Sequence, residues 1–353
     1  MKNRAVLVAA VLAALPMLRA QDEPKAKAPA AAQPPQMPNP KQEAHDALKA
    51  FAGTWEYKLQ SGAPEAAGTG GVERAELVCN GLWLKWTVDG KYAGEPFQGL
   101  WLVGYDPFQK KYRSVWVDAK ESTPVEMEGS HDAKAKTWSW SGKCATGELR
   151  STIRFPDADT MIETCVVTEA GKEPQSMEFI RKRVKAAPVE ASAPKGKVEL
   201  AAEHKELHKG LGEWEAVVKT VMDPAQPATE EKGAEKVHAI CNGKYTWSEF
   251  RSTMMGQPFE GHCLVGYDSA AKQYVSYWID SFSATWAKTN GTAEADGKMI
   301  RMQGSCLCPE GKPMTMRQVM RWKDADTRLL EMDIEGADGK CKMDITYKRK
   351  AKG

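Results

Sequence analysis

One run of twenty-five residues occurs twice in this chain. Gly94-Glu-Pro-Phe-Gln-Gly-Leu-Trp-Leu-Val-Gly-Tyr-Asp106 continues through Lys110, Tyr112, Ser114, Trp116 and Asp118. The same text restarts at Gly256-Gln-Pro-Phe-Glu-Gly-His-Cys-Leu-Val-Gly-Tyr-Asp268 and continues through Lys272, Tyr274, Ser276, Trp278 and Asp280. The offset is 256 − 94 = 162, and fourteen of the twenty-five positions are identical. Whatever the first half folds into, the second must fold into as well, so two copies of one fold are expected. With 353 residues, each copy is long enough to bury a core of its own.

The copies also align outside that run. His45, Leu48, Gly53 and Trp55 correspond to His204, Leu207, Gly212 and Trp214, and Cys79-Asn-Gly81 corresponds to Cys241-Asn-Gly243. Between them, Lys185 to Lys197 is rich in Ala and Pro and reads as a linker. The expected organisation is a signal peptide over 1–20, a Pro/Ala-rich disordered tether over 21–42, a first domain over 43–184, a linker over 185–200 and a second domain over 201–350. The signal reading rests on a basic start (Met1 to Arg4), an apolar stretch from Ala5 to Leu18 and a small residue, Ala20, at the point of cleavage. That stretch is shorter than the ~20 residues a membrane-crossing helix needs. Export to the periplasm or the exterior follows as an expectation, with no transmembrane span in the mature protein.

Within each copy, short alternating segments such as Leu82–Val88, Tyr112–Val117 and Met161–Thr168 are separated by Gly, Pro, Asp and Asn. That pattern predicts an antiparallel meander of seven or more strands, and closure into a barrel would remove its exposed edges. A short helix should precede Trp55 and Trp214. The expected class is therefore all-β, as two tandem barrels.

The shared text also carries a resemblance. Gly-x-Trp, Asn-Gly, Gly-x-Pro-Phe-x-Gly, Gly-Tyr-Asp, Tyr-x-x-x-Trp-x-Asp and a closing strand ending at Arg183 or Arg349 resemble the bacterial domain-of-unknown-function family fifteen-seventy-nine. Each half of the chain is covered. The resemblance implies a calycin-like antiparallel barrel, similar in outline to lipocalins and nitrobindins, and no established activity. It further implies that Arg183 stacks on Trp55, and Arg349 on Trp214, to close one end of each barrel. None of the six His lies on a closing strand, where a nitrobindin-like barrel would supply a haem ligand. No cofactor is expected.

Functional candidates are few. On one strand face Tyr112, Ser114, Trp116 and Asp118 are retained as Tyr274, Ser276, Trp278 and Asp280, whereas the opposite face, Arg113, Val115 and Val117, changes to Val275, Tyr277 and Ile279. Facing a barrel lumen, the retained set would offer aromatic surface and a carboxylate to a small, partly apolar ligand with a polar end. Alternatively, the same side chains fill the lumen, as in many small barrels. The glycines and Asp of the repeated run read as turn and bulge chemistry.

Cys79 with Cys144, and Cys241 with Cys306, are the matched candidates for one disulfide per domain. The other four cysteines have no counterpart in the opposite half, so the connectivity stays open. His262 beside Cys263 has no partner at metal-ligand spacing, and no metal site is expected. Lys plus Arg (49) nearly balances Asp plus Glu (47), which argues against a nucleic-acid partner. No nucleophile, phosphate loop or metalloprotease motif is present, so the chain reads as non-catalytic. Two readings remain: a small-molecule-binding barrel, or a structural or protein-interaction module with filled barrels and an unidentified protein partner.

Overall fold

The structure, a computed structural model, describes residues 40–185, 200–222, 227–254, 256–294, 297–308, 310–337 and 339–351. The signal peptide, nearly all of the tether and most of the linker lie outside these residues. The described chain forms two closed antiparallel barrels of ten strands each.

The first barrel runs β1 (Gly53–Ser61), β2 (Gly70–Val78), β3 (Trp83–Tyr92), β4 (Glu95–Asp106), β5 (Lys111–Asp118), β6 (Val125–Asp132), β7 (Thr137–Lys143), β8 (Glu148–Asp157), β9 (Thr160–Thr168) and β10 (Gln175–Val184). The second runs β11 (Gly212–Val221), β12 (Thr229–Ile240), β13 (Tyr245–Met254), β14 (Gln257–Asp268), β15 (Gln273–Asp280), β16 (Ser283–Ala293), β17 (Met299–Leu307), β18 (Pro313–Trp322), β19 (Thr327–Gly336) and β20 (Gly339–Arg349). Each strand pairs with its sequence neighbours. The first strand of each barrel also pairs with the last, Trp55 opposite Arg183 and Trp214 opposite Arg349, so neither sheet has an edge. The order is that of a calycin-like meander. Among the described residues no helix is long and apolar enough to cross a membrane.

Local chemistry explains the connections. Ala93 and Gly94 both take left-handed dihedrals, the combination a two-residue hairpin between β3 and β4 requires. Asp106 ends β4 by accepting hydrogen bonds from the amides of Phe108 and Gln109, and Asp268 does the same for Ala270 and Ala271. Gly99 and Gly104, read above as turn and bulge residues, lie inside β4 instead. A Cβ at Gly99 would overlap the indole of Trp116, and one at Gly104 the indole of Trp83; Gly261 makes the same room for Trp278. These glycines make space for large rings on the neighbouring strands.

A short helix closes one end of each barrel: α1 (Glu43–Asp46), continued by a 3-10 turn to Ala50, and α2 (Ala202–Leu207), continued to Gly210. Its His is buried. His45 packs edge-on against Tyr105, and His204 against Tyr267. The sequence suggested that these imidazoles cap helices or meet solvent; the ring contacts hold both inside, and His45 also caps its helix, its Nδ1 accepting the Gln42 amide at 2.9 Å.

The outward faces of β3–β5 and β13–β16 meet across a shared apolar layer. Leu82, Trp83, Leu100, Leu102, Val115 and Val117 pack there with Tyr245, Trp247, Leu264, Tyr277, Ile279 and Trp286. Trp83 stacks on Trp286 with centroids 6.1 Å apart, and its indole N–H donates to the Ser283 carbonyl. The contact is pseudo-symmetric. The Cys79 amide donates to Glu260 Oε2 at 3.0 Å, while Asn242, in the matching turn, donates to Gln98 Oε1 at 3.1 Å, and Gln98 is the counterpart of Glu260. Cys79, Asn80, Cys241 and Asn242 all adopt left-handed dihedrals, which L-residues avoid. The turns hold them there and aim these amides at the opposite barrel.

Candidate functional site

The retained face points inward in both barrels, and most of its polar atoms are committed to the protein itself. The Tyr112 hydroxyl donates to the Ala44 carbonyl at 2.7 Å, and that of Tyr274 to the Glu203 carbonyl at 3.3 Å, tying each helix plug to the barrel. The Trp116 indole donates to Asp118 Oδ2 at 2.8 Å, and the Trp278 indole to Asp280 Oδ2 at 3.0 Å. The second oxygen of each carboxylate caps the next turn, through Lys120 and Glu121 in one copy and Phe282 in the other. The aspartates are therefore not free to meet a ligand. Ser114 is buried in the first barrel, and Ser276 shares a hydrogen bond of 2.7 Å with Thr289 in the second. Of the eight face residues, Ser276 and Trp278 line a cavity.

That cavity belongs to the second barrel. It has a volume of about 210 Å³ and is walled mainly by apolar side chains, among them Phe250, Phe259, Met302, Met316, Met343 and Trp278. Position by position, the two barrels differ where it matters. Trp86 and Trp101 pair across β3 and β4 in the first barrel, where Ser248 and Cys263 pair across β13 and β14 in the second. Trp138 and Trp140 become Ile300 and Met302, as the matching pairs Trp138↔Ile153 with Ile300↔Met320 and Trp140↔Ser151 with Met302↔Gln318 show. Tyr57 becomes Ala216, and Phe51, wedged against Trp138 at 4.9 Å, becomes Gly210. In the first barrel these rings contact one another, Trp86 to Trp101 at 5.7 Å and Trp101 to Trp140 at 4.9 Å, and fill the lumen. The second lacks them. Six large rings lost from one lumen are what leave it hollow.

Each lumen keeps one buried charge cluster, built differently. In the first, Arg181 on β10 donates to Glu73 Oε2 at 2.6 Å and pairs with Glu163 Oε2 at 2.8 Å; Ser151 and Cys165 also donate to Glu163. Burial pushes the Glu73 carboxyl up, further than Arg181 draws it down. At Glu163 burial pushes the same way, but Arg181, Ser151 and Cys165 together hold the group below the ordinary value. In the second barrel Glu235 replaces Glu73, Tyr347 stands in the place of Arg181, and Leu330 in that of Glu163. The cation now comes from Arg328 on β19, at the position Met161 holds in the first barrel. Arg328 pairs with Glu235, and its guanidinium lies between the rings of Trp214, at 4.6 Å, and Tyr347, at 4.4 Å. With a single carboxylate beside it, its Nε–H is buried without a hydrogen-bond partner and borders the cavity. Nearby, burial pushes the Cys263 thiol up to about 12.

At the plugged ends, Arg183 lies 4.1 Å from the Trp55 ring centre and Arg349 4.1 Å from that of Trp214. Both guanidinium groups also donate to the carbonyls that end the helix plugs, Arg183 to Ala50 and Ala52, Arg349 to Lys209 and Leu211. These four residues close the barrels and do not reach the cavity.

The expected disulfides do not form, and all eight cysteines are free. Cys79 and Cys241 face out of their barrels, where their sulfurs approach the Glu260 and Val117 carbonyls of the opposite barrel. Cys144 sits in the turn after β7, against the Gly147 carbonyl, and Cys306 is buried in the core of the second barrel. The two members of each candidate pair lie on different faces, Cys79 and Cys241 in the layer between the barrels and Cys144 and Cys306 against the cores of their own barrels, so neither candidate bridge can close. The barrel contact also brings together what sequence separates: one donor atom each from Cys79, Glu260 and His262 lie within 4.8 Å of one another. His262 thus gains Cys79 from the other barrel beside Glu260, two residues before it on β14, and spacing along the chain carried no signal of that cysteine.

Comparison with known proteins places the chain. A search of curated proteins found no match. An S-type phycobiliprotein lyase from Guillardia theta is similar at 11% identity, covering 44% of this chain and 100% of its own, with a TM-score of 0.33. A protein of unknown function of the DUF3598 family from Nostoc punctiforme is similar at 10% identity, covering 88% of this chain and 100% of its own, with a TM-score of 0.23. The family model described as "Protein of unknown function (DUF1579)" matches residues 40–183 and 199–349, one match per barrel. The chain therefore belongs to the DUF1579 family, as a tandem pair of its domains.

Proposed function

We propose that this protein is an exported, non-catalytic binding module in which the second barrel holds one small, largely apolar molecule and the first is a filled structural partner. The observation that carries this reading is the loss of six lumenal rings from one of two barrels of the same strand order, offset only in part by Phe250 in the place of Val88 and Tyr347 in that of Arg181. A lumen of about 210 Å³ exceeds the ~150 Å³ apolar cavity that admits benzene, and it falls short of the ~300 Å³ at which drug-sized pockets begin. The ligand is accordingly of monocyclic or short-chain size. Methionine walls adapt to its shape, and Trp278 offers a stacking face. The unpartnered Nε–H of Arg328 favours a molecule with a hydrogen-bond acceptor at one end.

A non-catalytic role agrees with the chemistry of the wall. The Cys263 thiol is held protonated by burial, so it is no nucleophile at neutral pH, and Glu235 is engaged by Arg328. Export rests on the N-terminal sequence alone.

The test is native mass spectrometry of the protein purified from its own host. A co-purifying small molecule, lost when Ser248 and Cys263 are both replaced by Trp, supports the reading. A clean unliganded mass, together with no uptake of small aromatic or short-chain probes, would leave the filled-module reading in its place.

A further inference from the structure

The turn Cys79-Asn80-Gly81 brings a thiol from the first barrel against a carboxylate and an imidazole on β14 of the second. Glu260 stands at the centre. Its Oε2 accepts the Cys79 amide at 3.0 Å, and its Oε1 lies 3.1 Å from His262 Nε2. Cys79 and His262 are buried, whereas Glu260 is partly exposed and gives the cluster a side open to solvent. His262 is fixed in orientation by stacking on Trp247, with centroids 5.0 Å apart, and its Nδ1 is buried with no hydrogen-bond partner. Among the described residues this is the one set of three such side chains whose donor atoms converge.

We propose that Cys79, Glu260 and His262 bind a zinc-type divalent cation that braces the two barrels against each other. The donor set is a mixture of thiolate, imidazole and carboxylate, which suits a borderline ion such as zinc. Two donors bound to one tetrahedral ion at about 2.0–2.2 Å stand roughly 3.3–3.6 Å apart, a few tenths of an ångström beyond the present 3.1 Å between Glu260 Oε1 and His262 Nε2. The fourth position falls to water on the open side of Glu260. Binding exchanges the thiol proton of Cys79 for the metal: a sulfur–metal bond forms, the S–H bond breaks, and the proton leaves to solvent with no change of oxidation state. Because one ligand comes from the first barrel and two from the second, the ion would resist their separation.

Pseudo-symmetry supplies the control. The matching turn, Cys241-Asn242-Gly243, faces Gln98 and Leu100, which offer no carboxylate and no imidazole. The same interface is therefore built once with a carboxylate and an imidazole facing the turn cysteine from the fourth strand and once with neither at the matching positions. The double variant Glu260→Gln, His262→Leu copies a residue pair that the other half of the interface already accommodates, and Gln98 shows that glutamine can take the turn amide. It should fold, as circular dichroism and a thermal melt will establish.

Zinc, and cobalt(II) as its spectroscopic substitute, are titrated into the reduced full chain. One equivalent of zinc is expected to bind and to raise the melting temperature, and the cobalt form is expected to show a thiolate-to-metal charge-transfer band in the near ultraviolet. The double variant is expected to bind zinc at least about a hundredfold more weakly, since two of three ligands are gone and loss of a supporting hydrogen bond alone costs about 10–100-fold. Cys79→Ser is expected to abolish the charge-transfer band, and Cys241→Ser to retain it. The proposal is overturned if zinc does not bind saturably, if the double variant binds as tightly as the wild type, or if the band survives Cys79→Ser, which would place the metal at another cysteine.

Discussion

Trp101 and Cys263 hold the same position in the two barrels. Each lies on the fourth strand, directly opposite the residue that shares its face on the third, Trp86 in one case and Ser248 in the other. Exchange of two indoles for a hydroxyl and a thiol removes side-chain volume without disturbing the hydrogen-bond ladder, because the backbone pairing is independent of what fills the lumen. A duplicated barrel can in this way keep its frame and change its contents.

Restoring the rings should close the cavity. The variant Ser248→Trp, Cys263→Trp rebuilds the pair found in the first barrel. It is expected to weaken uptake of a neutral apolar fluorophore by at least about tenfold while the melting temperature stays level or rises, since filling a cavity commonly stabilises by about 0.5–2 kcal/mol. Fluorescence titration and a thermal melt on the same sample check both parts.

The charge cluster of the second lumen is expected to depend on where its cation originates. Arg328→Met leaves Glu235 buried without its partner and should cost about 3–5 kcal/mol in a denaturant titration. The double variant Arg328→Met, Tyr347→Arg moves the guanidinium to the position that Arg181 occupies in the first barrel. It is expected to recover more than half of the loss; a sum of two independent penalties would show that the positions are not interchangeable.

Asp280 gives the molecule a pH signature. Burial raises its carboxyl from the ordinary 3.8 to about 6, although the Phe282 and Ser283 amides and the Trp278 indole pull the other way. Between about pH 4 and 6 the folded state therefore holds a proton that the unfolded state has released, so this group's contribution to stability falls as pH rises through that window and is level above it. Buried His45 and His204, whose values are lowered chiefly by burial, act in the opposite sense, so wild type alone is not diagnostic. Relative to wild type, Asp280→Asn is expected to gain up to about 3 kcal/mol between pH 4 and pH 7, since each tenfold difference in proton affinity between the folded and unfolded states is worth about 1.4 kcal/mol. Denaturant titrations of both proteins at the two pH values measure the difference.

Arg349 should matter to stability and not to binding. Lysine at 349 keeps the charge but loses the planar stack on Trp214 and the fork to the Lys209 and Leu211 carbonyls. A loss of about 1–3 kcal/mol is expected, with fluorophore affinity unchanged. Arg183→Lys is expected to behave alike, and a change in affinity with either variant would place these residues in the binding machinery.

How far the sequence reaches can be judged strand by strand. The duplication, the meander and the plug helices were legible because turn residues and alternation are local signals. Strands β2 and β6 were not. Gly70 to Val78 and Val125 to Asp132 carry Gly and acidic residues, and they are strands because both neighbours hold them in a closed sheet. The inward faces of β5 and β15 were set apart from the outward ones, but the aspartate of each accepts from the tryptophan two residues before it, a use that alternation cannot distinguish from ligand binding. The replacement of six rings was present in the alignment of the halves all along; it acquires meaning only once those positions are known to share one lumen.

The sequence by itself determined that this protein is one fold made twice, an antiparallel barrel closed by a helix, since repetition, period and turn chemistry are properties of neighbouring residues. Tertiary structure alone decided that one barrel is filled and the other hollow, that Val115 and Tyr277 face the opposite barrel, and that Cys79 meets Glu260 and His262 about 180 residues away. Cavities, interfaces and convergent ligands arise from side chains distant in sequence, and closure of the sheet and packing of the two barrels are what bring those side chains together.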